Sequence, residues 1–132
     1  MIVRSLEIGR WHVEFCFAPD GYDIDHILDR MYSFGAGASK LRRALALMEG
    51  GEPNRGFTFA NGLDRVALVV IGPTSSGAEF QDTLTHEVLH LAVSIADGLG
   101  IDLRGETPAY IMGDSIRDLA DVVCSLGCGR CR

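Results

Sequence analysis

Apolar residues recur along the chain with two periods, and the switches between them divide it into elements. Residues 2–8 and 11–18 alternate. Trp11, Val13, Phe15 and Phe17 are separated by His12, Glu14 and Cys16, which predicts two strands around Gly9-Arg10, the second with one apolar face. Pro19-Asp20-Gly21 reads as a turn. Ile24, Ile27, Leu28, Met31 and Phe34 then fall at helical spacing, with Asp20 or Asp23 as cap. Gly35-Ala36-Gly37 breaks the chain, and a second helix over Ser39 to Met48 turns Leu41, Ala44, Leu45 and Met48 inward. Gly50-Gly51-Glu52-Pro53-Asn54 is a flexible loop. Gly56 to Ala60 forms a strand with Phe57 and Phe59 on one face, and Asn61-Gly62 signals a tight hairpin turn. Arg65 to Ile71 is almost continuously apolar, which predicts an inner strand covered on both faces. From about Glu79 to Asp97 the period becomes helical again, with Phe80, Leu84, Val88, Leu91 and Ile95 in one stripe. Ser76 and Glu79 fit a capping box at its start, and Gly98 or Gly100 fits its stop. A turn-rich stretch, Gly98 to Gly105, precedes a last amphipathic run through Ala109, Ile111, Met112, Ile116, Leu119, Ala120 and Val123. The sum is an α+β fold in one domain, residues 1–132: a small twisted β-sheet, the long helix on one face, and a C-terminal helix crossing it.

Composition narrows the partners. At 132 residues the chain suits one core, and 47% apolar residues with mean hydropathy +0.15 exclude a disordered chain. A net charge of −6 argues against nucleic acid as the main partner, and Lys40, Arg42 and Arg43 read as a solvated helix face. The first residues carry charges where a signal peptide needs an apolar run, and the longest apolar run is too short to span a bilayer. The expected compartment is the cytoplasm, with no membrane partner and reduced thiols. Cys16 is expected to be a buried filler, His12 to face outward, and His26 to be solvated. Cys124, Cys128 and Cys131 suggest either a soft-metal or iron–sulfur site or, more plainly, a tail without one.

The candidate chemistry lies inside the long helix, where Thr85-His86-Glu87-Val88-Leu89-His90 contains H-E-x-x-H. Histidines four apart on a helix stand one turn above each other, so His86 and His90 can reach one metal ion. Zn²⁺ would lower the pKa of a water toward ~7, and Glu87 is placed to take its proton. The plainer alternative is two half-buried histidines bonded to backbone carbonyls. A catalytic zinc usually holds three protein ligands. No histidine follows His90, and Glu106, at the start of the last helix just before Pro108, is the best-placed third donor. Its alternative role is a first-turn acid favoured by the helix dipole. Tyr110 and Asp114 share a face with Glu106 and are candidates to hydrogen-bond a ligand histidine.

The spacing H-E-x-x-H, fifteen residues, then Glu resembles the zincin metallopeptidases of the glutamate-ligand (gluzincin) type, and short zincin-like proteins of phages and prophages. The likeness runs from about Arg55 to Leu126. It implies Zn²⁺ held by His86, His90 and Glu106, Glu87 as general base, and a substrate-binding edge strand over Phe57, Thr58, Phe59, Ala60 and Asn61. The chain departs from the family at Tyr110, where an Asp often braces a histidine; Asp114 lies four residues further on. No counterpart of the family's transition-state His or Tyr is evident.

The expected function is therefore zinc-dependent hydrolysis of a peptide or protein substrate bound in extended form. The alternatives are a zinc-containing peptidase-like binding or regulatory module of a phage or mobile element, and a purely structural metal site.

Overall fold

Two antiparallel strand pairs meet side by side in one sheet. β1 (Ile2–Ile8) pairs with β2 (Trp11–Phe17), and β3 (Gly56–Asn61) pairs with β4 (Val66–Ile71). β2 and β4 run parallel between them, so the order is β1-β2-β4-β3. A parallel joint needs a long crossover. Here it is α1 (Ile24–Ser33), α2 (Ala38–Glu49) and β3. After β4 come α3 (Gly77–Gly98), α4 (Thr107–Asp118) and α5 (Ala120–Gly127). This computed structural model describes residues 1–21, 23–50 and 56–127. Cys128, Cys131 and most of the glycine-rich loop before β3 lie outside the described residues. The architecture is α+β, with, among the described residues, a four-stranded mixed sheet and five helices.

Helices cover both faces of the sheet. On one face Trp11, Val13, Phe15 and Phe17 of β2 and Ala67, Val69 and Ile71 of β4 pack against Phe80, Leu84, Leu91 and Ile95 of α3, with Ile111, Leu119 and Val122 beside them. On the other, Cys16, Leu68 and Val70 pack against Ile27 and Met31 of α1, Phe34 just after it, and Ala44 of α2. The doubly covered β4 follows its apolar run. β2 does not: its alternation implies one solvated face, yet Glu14 is buried there beside Cys16. Glu14 is tolerated there because Arg30 of α1 binds both carboxylate oxygens, with Nε 3.2 Å from Oε1 and a second nitrogen on Oε2. His12, expected outward, is only half-exposed; its Nδ1 lies 2.5 Å from Glu7 Oε1 and its ring meets the edge of Phe34. Burial, and next the charge of Glu14, push the Cys16 thiol up to about 11, so it is an inert filler as expected. His26 is exposed.

Turn chemistry sets the two hairpins differently. Gly9 and Arg10, at φ 53° and 70°, make the two-residue left-handed turn that matches strand twist. Asn61 does not act this way. It remains in β3 opposite Val66, and Gly62 to Arg65 form a four-residue loop. The Asn61 side chain holds that loop: Oδ1 accepts from Leu63 N at 3.1 Å, and Nδ2 donates to Asp64 and to the Phe34 carbonyl, both at 3.0 Å.

The last helical run is two helices, interrupted at Leu119, which is fully buried in the core. α3 starts as expected, with Ser76 Oγ accepting from Glu79 N at 3.1 Å. Glu79 reaches back to Ser75 rather than to Ser76, accepting from Ser75 N at 3.1 Å and from its hydroxyl. Gly100, at φ 69°, ends the helix: Ile101 N donates to Ala96 O and Gly100 N to Asp97 O. No helix among the described residues is long and apolar enough to cross a membrane.

One close approach fixes β3 against α3. A Cβ on Gly56 would stand 2.5 Å from the Val70 carbonyl oxygen and 3.1 Å from Glu87 Cγ. Gly56→Ala is expected to destabilise the protein by about 1–3 kcal/mol, the usual cost of overpacking, and urea denaturation measures it.

Candidate active site

The phase of α3 splits its motif between two environments. Phe80, Thr83, Leu84, Glu87, Val88 and Leu91 are buried, while His86 and His90, one turn apart, are exposed. The His86 side chain is 67% exposed and that of Glu87 only 7%. The two imidazoles nevertheless converge. Their Nε2 atoms stand 3.1 Å apart, with ring centroids 4.8 Å apart and planes at 70°. Two nitrogens sharing a zinc at ~2.0–2.1 Å and a tetrahedral angle are about 3.3 Å apart. The pair therefore fits one metal ion with little movement, and neither ring is spent on a backbone carbonyl among the described hydrogen bonds.

Glu87 lies between this pair and the sheet edge. One carboxylate oxygen, Oε1, is 3.9 Å from His86 Nε2. The other, Oε2, accepts from Thr58 Oγ1 at 2.7 Å. Thr58 belongs to β3, which among the described residues pairs with β4 alone and so forms an edge of the sheet. Strand alternation explains the contact: Phe57 and Phe59 pack toward α1 and α2, which turns Thr58 and Ala60 toward α3. Thr58 was legible as part of the edge strand; its bond to Glu87 was not, because it depends on how α3 sits over β3. Thr58→Val keeps the shape but leaves a buried carboxylate oxygen without its donor. The expected cost is about 1–3 kcal/mol of stability, read by thermal or urea unfolding.

The remaining residues stand apart from this cluster. Glu106 is the N-cap of α4, exposed, with no side-chain cap bond. α4 packs on α3 and β1, on the side of α3 away from β3 and Thr58. No three His, Cys, Asp or Glu side chains gather as a metal-holding group among the described residues. Pro108 occupies the first turn of α4, as its missing N–H allows. Tyr110 is 65% exposed. Asp114 pairs with Arg117 Nη1 at 3.5 Å and not with a histidine.

The cluster thus comprises two convergent metal-competent imidazoles, a buried carboxylate beside them, and a strand edge that holds the carboxylate. No protein-family model matches the chain, and neither does any curated protein or solved structure.

Proposed function

We propose that the chain is a zinc-dependent hydrolase of peptide or related amide bonds, of the zincin kind. The observation that carries this reading is the approach of His86 and His90 to 3.1 Å with the Glu87 carboxylate beside them, held from below by an edge strand. A purely structural pair of histidines has no need of a buried, oriented carboxylate at that spacing. His86 and His90 supply two donors. Glu106 is the proposed third, since it makes no side-chain hydrogen bond or ion pair among the described residues; it would have to join from the α4 side. Zinc, when bound, makes a water acidic and polarises a carbonyl. The Glu87 carboxylate would take the proton of the attacking water and return it to the leaving amine, with Thr58 keeping the carboxylate aimed. The substrate lies extended along Phe57 to Asn61, adding a strand to the sheet edge.

A zinc-binding, non-catalytic module is the second reading. The absence of a gathered third donor among the described residues favours it. Incubating the zinc-loaded protein with a defined peptide mixture, with and without chelator, separates the two. Chelator-sensitive cleavage restored by zinc supports the hydrolase; stoichiometric zinc with no cleavage supports the module.

A further inference from the structure

On the face of β3 opposite Glu87 lies a pocket of about 170 Å³, lined by Phe57, Thr58 and Phe59 of β3 and by Lys40, Arg43 and Leu47 of α2, among others. An apolar cavity of about 150 Å³ is enough to hold a benzene, so this one has room for an amino-acid side chain. It brings two cations, Lys40 and Arg43, beside the edge strand. Neither Lys40 nor Arg43 has an ion-pair or hydrogen-bond partner among the described residues. The basic cluster that reads from sequence as a solvated helix face therefore has two members beside the free edge strand.

We propose that this pocket selects an acidic side chain, Asp or Glu, in an extended peptide docked on β3. The inference deepens the proposed function and rests on its edge-strand reading. A strand presents successive side chains to opposite faces. A peptide laid along β3 therefore turns every second side chain toward α3, where His86, His90 and Glu87 stand. The residues between turn toward α2 and the pocket. Thr58 borders both places: its hydroxyl binds Glu87, and the residue also lines the pocket. The side chain entering the pocket is thus within a residue or two of the bond presented to the histidines. Phe57, Phe59 and Leu47 suit the methylene stem of such a side chain. Arg43 and Lys40 suit its carboxylate, by charge-assisted hydrogen bonds that a neutral amide cannot match.

The test uses N-acetylated, C-amidated decapeptides carrying a single Glu, Gln or Lys at each position in turn. Binding is measured by fluorescence anisotropy with Glu87→Gln protein, and cleavage with zinc-loaded wild type. At one position the Glu peptide should bind about tenfold or more tighter than its Gln counterpart. The Lys40→Glu, Arg43→Glu double variant should turn that preference toward Lys; the milder Lys40→Gln, Arg43→Gln variant should abolish it. Both side chains are exposed on α2, and circular dichroism checks the fold of each variant. Equal binding of Glu and Gln peptides at every position overturns the proposal, as does a Glu preference that survives charge reversal. Tight binding of inorganic phosphate without any peptide preference also overturns it. Glu-selective binding without cleavage supports the pocket and removes the peptidase reading. Cleavage without charge preference does the opposite.

Discussion

Glu87→Gln is expected to retain zinc and fold while losing peptide hydrolysis by roughly 10²-fold or more, the usual scale for a general base. The side chains are nearly isosteric, and glutamine keeps a carbonyl oxygen that can accept the Thr58 hydroxyl now bound at 2.7 Å. What the change removes is the capacity to take a proton. Glu87 is buried and touches β3, so a larger or shorter replacement would also disturb packing; Gln avoids that confusion. Turnover is measured on one cleaved peptide at saturating concentration, with zinc content and thermal unfolding checked on the same samples. Equal turnover by the two proteins would remove Glu87 from the chemistry.

Metal linkage gives the second large effect. Because zinc should bind the folded site and not the open chain, it stabilises the fold by an amount set by mass action: about 2.7 kcal/mol when free zinc is a hundredfold above its dissociation constant. Adding a chelator to wild type should therefore lower its unfolding midpoint. The His86→Ala, His90→Ala variant should match chelated wild type and respond to neither zinc nor chelator. Both histidines are exposed and make no described contact with the core, and alanine favours a helix, so the variant should not unfold for other reasons. A large zinc-independent loss of stability would mean the histidines serve packing instead.

Much of this arrangement was legible because it depends on local period and turn chemistry. The stripe Phe80, Leu84, Val88, Leu91 and Ile95 sets the phase of α3, and that phase alone puts His86 and His90 on one exposed side with Glu87 turned inward. The unbroken apolar run of β4 announces burial on both faces, which leaves β3 at the sheet edge. Features decided by distant parts were not legible. His12 and Glu14 look like part of a solvent face until α1 and α2 are known to cover it and Arg30 to neutralise Glu14. The Asn61-Gly62 pair suggests a tight turn, but Asn61 is drawn into other bonds, one of them to the Phe34 carbonyl after α1. The apolar pattern after Pro108 continues through Leu119, so the break between α4 and α5 leaves no mark in the spacing. Spacing from His90 brings Glu106 to a helix start, but it does not say on which side of α3 that helix lies; packing on β1 decides that.

The proposed function depends first on a metal at His86 and His90. The most direct measurement is elemental analysis of purified wild-type protein and of the His86→Ala, His90→Ala variant, after both are equilibrated with zinc and freed of excess by gel filtration. One zinc per wild-type chain and none in the variant is the expected result. Equal zinc in both proteins, or none in either, would contradict a metal site on α3.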